Sequence, residues 1–236
     1  MVAVSGLIIS NWGWSVTTQA ADRQSQVQVK LTPSDDDDAV SPVDPDDPSK
    51  PYPGDPADEG NVTGTGSRGK LTIDFVSNLK FKPVTTAGGP ATVTAQNERA
   101  MIQVTDRRAS AAGWTLQVTP SPLQSGQQQL TTSLKLGSVQ LKPGTGNVSA
   151  APNVVNTGEL VTGIANSVVT AQPQSGLGTW LVILNRGDEL TQLQIHDRQL
   201  SAGDYTGTLA WSLNNAPSWM VWLKLLLVMN GSFNHT

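Results

Sequence analysis

The sequence predicts an all-β protein, an antiparallel β-sandwich or barrel-like domain that follows a disordered linker rich in Asp and Pro. Short apolar runs separated by clusters of Gly, Pro and Asn recur along the chain, as in antiparallel sandwiches and barrels. Two of these runs carry Trp-x-Leu, so a Trp and a Leu share one face of each predicted strand. Only 14% of the residues are charged, while Thr, Ser, Gly, Gln and Val are abundant, which favours strands over amphipathic helices.

Residues 1–21 are predicted to be a secretory signal peptide. An apolar run extends from Val2 to Ile9, and small residues at the end of this segment suit a signal peptidase. No Lys or Arg precedes Arg23, so the basic beginning of such a peptide is missing and a truncated start is expected. A buried strand is the alternative interpretation of this run.

Residues 22–69 are predicted to be an acidic, Pro-rich linker. Residues 34–59 hold ten of the 19 acidic residues and a single base, Lys50. Closely spaced prolines favour polyproline-II conformation and the aspartates repel one another, which predicts a stretched, solvated spacer that buries no core. The run Asp35–Asp38 lacks the alternating ligands, the turn glycine and the closing Glu of a calcium loop, so a solvated run is the favoured interpretation.

Residues 70–217 are predicted to form the β domain. The segments expected to be strands share an alternating or continuous apolar pattern bounded by turn residues. They lie at Leu71–Phe75, Met101–Val104, Gly113–Val118, Leu130–Leu141 (two runs), Trp180–Leu184, Leu190–Ile195 and Tyr205–Leu213. A polar turn is expected at Thr105–Arg108. Residues 143–176 are expected to be a long surface excursion, and such excursions often carry function.

Residues 218–236 form an atypical apolar tail. Its apolar part, Trp219–Met229, is 11 residues long and is interrupted by Lys224. A membrane-spanning helix needs about 20 apolar residues, so no membrane span is predicted. Docking on the domain, contact with a membrane surface and translation past the natural end remain alternatives for this tail.

Composition excludes several classes of site. The chain has no Cys and two His, which rules out disulfides and thiol-ligated metals, and neither a metal nor a cofactor is predicted. Residues 60–217 hold eleven basic and eight acidic residues, an excess too small to indicate nucleic acid as a partner.

The sequence also predicts that the protein is not an enzyme. His196-Asp197 resembles half of a catalytic dyad, but no Gly-x-Ser-x-Gly elbow accompanies it. Glycoside hydrolysis needs two carboxylates placed across a cleft, and nothing in the pattern of acidic residues singles out such a pair. No catalytic residue is therefore predicted.

Three blocks of the sequence, in order, resemble the WxL domain of bacterial surface proteins. They are residues 69–81 after the Asp/Pro spacer, residues 102–118 with Trp114-Thr115-Leu116, and residues 202–217 with Trp211-Ser212-Leu213. The resemblance covers residues 42–217. Arg108 departs from it, because the family more often has glycine after the Asp-Arg pair, and residues 218–236 have no counterpart.

The resemblance implies a secreted protein of low-GC Gram-positive bacteria that is located at the cell wall or cell surface. It further implies that the domain adheres non-covalently to peptidoglycan and that other cell-surface proteins of the same gene cluster are partners. The alternative function is a structural subunit that binds another surface protein, with indirect attachment to the wall.

The residues of the cell-wall-binding motif are Trp114, Leu116, Trp211 and Leu213, and two roles are open to them. Exposed indoles could stack on sugar rings, while buried ones would anchor two strands in the core. Alternation with polar residues favours burial of at least one Trp. Arg107 and Arg108 are candidates for polar contacts with carboxylates or phosphates, and the competing interpretation is a solvated turn with an Asp–Arg pair.

Overall fold

A computed structural model of the chain describes residues 28–30, 35–85, 89–156 and 158–215. The chain divides into two units, residues 1–32 and 33–236. In the first unit the described residues, 28–30, are exposed and have no regular secondary structure. The predicted signal peptide and the apolar tail both lie outside the described residues.

The described part of the second unit contains 14 strands and no helix. The strands are β1 Leu71–Val76, β2 Ala91–Thr94, β3 Met101–Asp106, β4 Trp114–Pro120, β5 Leu123–Ser125, β6 Gln128–Leu130, β7 Thr132–Lys135, β8 Gln140–Pro143, β9 Asn153–Val154, β10 Glu159–Leu160, β11 Asn166–Ala171, β12 Gly178–Ile183, β13 Gln192–Ile195 and β14 Leu209–Asn214. The predicted all-β fold is confirmed.

Twelve of these strands form three four-stranded antiparallel sheets. Sheet I has the order β1-β3-β12-β8, sheet II has β10-β7-β13-β2, and sheet III has β14-β4-β11-β9. Strands β5 and β6 form a separate antiparallel ribbon. Neighbours in the sheets are mostly distant in sequence, so the connections cross between sheets and tie them into one domain.

The principal core lies between the three sheets. Sheet I contributes Ile102, Val104 and Val182, and sheet II contributes Leu134 and Leu160. Sheet III contributes the largest share, namely Trp114, Leu116, Val118, Val168, Val169 and Ala171. Alternate residues of a strand point to opposite faces. The residues that alternate with these core residues on β4, and those beside them on the paired strand β14, therefore face away from this core.

The opposite face of sheet I is also covered, by residues 40–61, which we call the strap. Tyr52 is buried against Phe75, with ring centroids 4.7 Å apart, and packs in a second cluster with Met101, Leu181 and Ile183. The Tyr52 hydroxyl donates to the carbonyl oxygen of Arg99 over 3.3 Å. This corrects the interpretation of these residues as a stretched, solvated spacer.

The aspartates of the strap do not simply repel one another, because local hydrogen bonds fold the segment. Asp44 accepts from the backbone N–H of Asp46, and Asp55 accepts from those of Ala57 and Arg99. Asp58 accepts from the backbone and the side chain of Asn78. Such Asx turns satisfy both the carboxylates and the backbone, which composition alone does not reveal.

The expected surface excursion at residues 143–176 is also corrected, because β11 within it is a buried strand of sheet III, paired with both β4 and β9. The pairing with β4 shifts register between Ser167 and Val169. A bulge of this kind breaks the period-2 pattern by which a strand is identified. Thr105 and Asp106, expected in a turn, are likewise buried residues of β3.

Candidate functional site

The two Trp-x-Leu segments, almost a hundred residues apart, lie on neighbouring strands. Strand β4 pairs with β14 in antiparallel register, with Leu116 opposite Leu213 and Val118 opposite Trp211. Directly opposed residues point to the same side of a sheet. All four motif residues therefore face the principal core, and the polar residues between them face away from it.

Trp114 is fully buried, with 0% of its surface exposed. Its Nε1 donates to the carbonyl oxygen of Gly176 over 3.0 Å. A Cβ at Gly176, which has φ +70°, would lie 2.5 Å from the Cβ of Ala171 and 2.9 Å from Nε1 of Trp114. Position 176 must therefore be glycine, because any side chain there would clash with Ala171 and with the indole of Trp114. The prediction that at least one motif Trp is buried is confirmed, and Trp114 cannot stack on a sugar.

Trp211 and Leu213 are less enclosed, because β14 is an edge strand of sheet III. Both side chains are half-buried and pack against the principal core. The Nε1 of Trp211 is buried and has no hydrogen-bond partner within the described ranges. The second motif thus packs on the rim of the core that the first motif fills.

The outer face of sheet III, which we call the polar face, consists of uncharged side chains. Its members are Ala210, Ser212 and Asn214 on β14, Thr115, Gln117 and Thr119 on β4, Ser167 and Thr170 on β11, and Asn153 on β9. A row of hydrogen bonds crosses it: Asn214 Nδ2 donates to Gln117 Oε1 over 2.5 Å, and Gln117 Nε2 donates to Ser167 Oγ over 3.1 Å.

Exposure varies across the polar face. Ser212 and Asn214 are exposed, Gln117 and Ser167 are half-buried, and Thr115 is buried. The accessible part therefore lies on β14 and the adjoining half of β4. Amide and hydroxyl groups both donate and accept hydrogen bonds, so this surface suits a ligand rich in hydroxyl and amide groups.

Arg108 is fixed by its neighbours and does not form a solvated turn. Its Nε and Nη2 donate to the two carboxylate oxygens of Asp106 over 2.9 and 2.8 Å. Nη2 also donates to the carbonyl oxygen of Gly113 over 2.7 Å. The predicted Asp–Arg pair is present, but the Asp106 carboxylate is buried and the pair ties the end of β3 to the start of β4.

Arg107 is engaged as well, by residues that precede and follow the strap in sequence. Its Nη1 lies 2.9 Å from a carboxylate oxygen of Asp36, and its Nη2 donates to the carbonyl oxygen of Gly69 over 3.0 Å. The sequence placed both arginines among the possible polar contacts. In the structure their hydrogen bonds go to the chain itself.

His196 and Asp197 have different partners. Nε2 of His196 lies 2.7 Å from Oγ of Ser133, whereas Asp197 accepts from the backbone N–H of Thr131 over 2.7 Å. The carboxylate therefore holds a backbone turn, and the imidazole pairs with a hydroxyl on an exposed stretch of sheet II.

Two features are absent from the part of the chain that the structure describes. In those ranges no group of three or more His, Cys, Asp or Glu side chains is arranged to hold a metal ion. Nor does any helix there have the length and apolar character needed to cross a membrane.

Sequence reasoning missed a buried polar network beneath the strap. Asp74 sits at a bulge in β1 and accepts hydrogen bonds from the hydroxyls of Thr72 and Thr105, both over 2.6 Å, and from Gln103 Nε2 over 3.2 Å. Gln103 Nε2 also donates to the carbonyl oxygen of Ser41. Burial raises the pKa of Asp74, although these hydrogen bonds act in the opposite direction.

A groove of about 770 Å³ at the edge of the strap was missed too. Val40, Val43 and Pro48 form one wall, and residues 144–149 and 177–179 form the other. Val148 at its rim is 98% exposed. No sequence signal indicates this groove, because its walls are more than ninety residues apart and meet only through the fold.

Comparison with known families gives a match. The sequence model described as "WxL domain surface cell wall-binding" matches residues 18–217, which include the strap and both Trp-x-Leu strands. Comparison with curated proteins and with solved structures gives no match.

Proposed function

Because the chain belongs to the WxL family of surface cell wall-binding domains, we propose that it attaches non-covalently to peptidoglycan through the polar face. Its place is the cell wall or cell surface. We place it there as a secreted protein of a Gram-positive bacterium, in keeping with the apolar N-terminal segment of the sequence.

The observation that carries this proposal is the uncharged, hydrogen-bonding character of the polar face. Glycan strands present hydroxyl and acetamido groups, which need partners that donate and accept. Ser212, Asn214 and Gln117 offer such groups on a rigid sheet. Sites built on strands hold their side chains more precisely than sites on loops, which reduces the cost of ordering them upon binding.

In this proposal the Trp-x-Leu residues position the polar face and do not touch the wall themselves. Leu116 and Leu213 oppose each other on the core side of β4 and β14, and this pairing sets which polar residues stand side by side outside. A one-residue slip would turn the whole polar face inwards. The motif is therefore required for wall binding because it sets the register of the two strands.

The test compares a variant of the polar face with a matched control. In Ser212→Ala/Asn214→Ala both changes fall on exposed residues of the face, and in Gln127→Ala/Gln129→Ala they fall on exposed residues of the β5–β6 hairpin. The purified full chain is pelleted with purified peptidoglycan. We expect the face variant to leave a larger share in the supernatant, while the control pellets like the parent and both melt like it. Equal pelleting of the two variants would place the contact elsewhere.

The alternative, a structural subunit that binds another surface protein, has one observation in its favour. Val155, Val161 and Ile164 are 51%, 54% and 57% exposed, and Asn166 braces the last two by donating to their carbonyl oxygens. Exposed apolar groups held rigidly are typical of protein contacts. A pure chain that stays in the supernatant with clean peptidoglycan would favour this alternative.

We further propose that attachment involves no catalysis. His196 pairs with Ser133, and among the described residues no carboxylate pairs with His196, since Asp197 holds Thr131. A nucleophile activated by such a base needs a third group that orients the base. Release of soluble muropeptides from peptidoglycan by the pure protein would contradict this.

A further inference from the structure

Three basic side chains meet three consecutive aspartates just before the strap. Arg107 Nη1 lies 2.9 Å from Asp36 Oδ2, and Lys70 Nζ lies 3.0 Å from Asp37 Oδ1. Arg68 pairs with Asp38. We call Arg68, Lys70 and Arg107 the cationic cluster, and residues 36–38 the acidic run.

The acidic run is held by ion pairs and also by hydrogen bonds to its backbone. The carbonyl oxygens of Asp36, Asp37 and Asp38 accept from Lys70 Nζ over 3.2 Å, from the backbone N–H of Gly69 over 2.9 Å and from Arg107 Nη2 over 2.5 Å. Its carboxylates are between 56% and 74% exposed, and exposed ion pairs stabilise a structure only weakly. The pKa of Asp36 is lowered, first by the hydrogen bond from the backbone N–H of Asp38 and then by Arg107 and Lys70. The strap is different, since Tyr52 anchors it in a buried apolar cluster. Because no residue of the run belongs to a buried apolar cluster, the run can leave the cationic cluster while the strap stays in place.

The cationic cluster itself is pre-formed by the domain. Arg107 follows β3, only 17% of its side chain is exposed, and Nη2 is also held by the carbonyl oxygen of Gly69. Lys70 directly precedes β1. A rigid arginine that offers parallel N–H groups, flanked by a lysine, is suited to anionic oxygens.

We propose that the cationic cluster is a binding site for a linear polymer that carries phosphate groups, and that the acidic run occupies it as an internal competitor. Three carboxylates on consecutive residues imitate a flexible polyanion with regularly spaced charges. An external polymer would exchange with them, one anionic group for another, without unfolding the domain. This site lies on residues flanking β1 and β3 of sheet I and is separate from the polar face of sheet III, so it goes beyond attachment to the glycan.

The test removes the negative charges of the competitor and leaves the hydrogen bonds to its backbone in place. Asp36→Asn/Asp37→Asn/Asp38→Asn in the full chain is titrated with sodium polyphosphate labelled at one end, and binding is followed by fluorescence anisotropy. Removing the block raises the apparent affinity of a site by the inverse of the fraction of sites that was unblocked. We therefore expect a gain on the order of tenfold. The gain should shrink as salt is added, because the contacts are between exposed charges.

A matched control separates a site from a general change of charge. Glu159→Gln/Asp188→Asn/Asp204→Asn removes the same number of negative charges at exposed acids for which no ion pair is seen in the described ranges. This control should bind polyphosphate like the parent. An equal gain in both variants would overturn the proposal, since net charge alone would then explain binding.

A second variant tests the cluster directly. Adding Arg68→Gln/Lys70→Gln to the triple Asn variant changes two side chains outside the core, so the fold is preserved, and it should abolish the gain. Persistence of the gain would overturn the assignment. Pelleting with peptidoglycan freed of anionic polymers should be the same for all these variants, so failure of this proposal and failure of glycan binding give different results.

Discussion

At the scale of single residues, the two motif tryptophans have unequal roles although their sequence contexts are alike. Trp114 lies in a central strand of sheet III and is enclosed by Gly176 and Ala171, whereas Trp211 lies on the edge strand and is half-buried. Strand position makes this difference. A central strand has neighbours on both sides, while an edge strand leaves part of each side chain to solvent.

Replacement of the tryptophans should therefore give unequal losses of stability. Trp114→Ala should lower the free energy of unfolding by about 3–5 kcal/mol, because it removes a fully buried aromatic side chain. Trp211→Ala should cost less, roughly 0.5–3 kcal/mol. Urea denaturation measures both, and wall binding should fall in step with stability. If Trp114→Ala unfolds like the parent and still loses binding, the indole is a contact residue and its assignment to the core is wrong.

Asp74 should make stability depend on pH in an unusual direction. Its pKa is raised by burial, so the folded state binds its proton more tightly than the unfolded state does. The stabilisation is fully present below the ordinary value of 3.8 and is lost as pH rises through the higher folded pKa. Relative to Asp74→Asn, the parent should therefore lose stability between pH 3 and neutrality.

Urea denaturation of the parent and of Asp74→Asn over a series of pH values isolates this group, because the other carboxylates are common to both proteins. The difference in free energy of unfolding should shift in favour of the variant as pH rises. A difference that does not change with pH, or that shifts in favour of the parent, would show that the hydrogen bonds from Thr72, Thr105 and Gln103 outweigh burial.

At the scale of structural elements, the strap completes sheet I. Its strap side carries apolar side chains beside the polar network of Asp74, and Phe75, Met101, Leu181 and Ile183 would meet water without Tyr52 and its neighbours. The bulge at Asp74 contributes to this, because it turns Phe75 towards the strap, opposite Gln103. A segment with the composition of a linker thus behaves as an outer layer of the domain.

Two truncations should separate the strap from the acidic run. A chain that begins at residue 39 keeps the strap and should melt like the full chain, whereas one that begins at Lys70 should melt at a much lower temperature. Loss of Tyr52 alone removes a buried aromatic worth about 3–5 kcal/mol, out of a total stability of about 5–15 kcal/mol. Binding of a hydrophobic dye should rise only in the shorter chain. Equal melting of both would mean that the domain folds without the strap.

At the scale of the whole molecule, the charge asymmetry of the sequence is partly cancelled within the fold. Aspartates that precede β1 pair with bases of the domain: Asp36 and Asp37 with Arg107 and Lys70, and Asp46 with Arg99 and Arg186. The pKa of Asp46 is lowered mainly by Arg186. The mildly basic domain thus presents less free positive charge than its composition indicates.

The apolar tail stays a prediction of the sequence, since residues 218–236 lie outside the described residues. The last strand among the described residues, β14, ends at Asn214, and the family match ends at residue 217. A chain cut after Pro217 should be more soluble, equally stable and fully able to bind the wall, because an apolar run left in water promotes association. Light scattering, thermal melts and pelleting measure these properties. A large fall in melting temperature would show instead that the tail packs into the core.

Strands with a regular alternation or a continuous apolar run can be predicted directly from the sequence. β1, β3, β4, β12 and β14 were expected from their apolar pattern, and burial of a motif Trp followed from polar residues on the alternate positions. β11 was not expected, because its bulge hides the alternation, and neither was the strap, because Pro and Asp dominate it. The pattern of apolar residues predicts a strand only where successive side chains alternate regularly between the two faces of the sheet.

By itself the sequence determined that the protein is built of strands and that each of two Trp-x-Leu segments places a Trp and a Leu on one face of a strand. It also showed that the chain resembles WxL domains. Tertiary structure alone decided that these segments lie side by side, that Trp114 is core, and that the acidic run rests on Arg107 and Lys70. The physical reason is the range of the interactions. Alternation and turn chemistry act between neighbours in the chain, whereas strand partners, layers and ion pairs join residues that are distant in sequence and are set only when the whole domain packs.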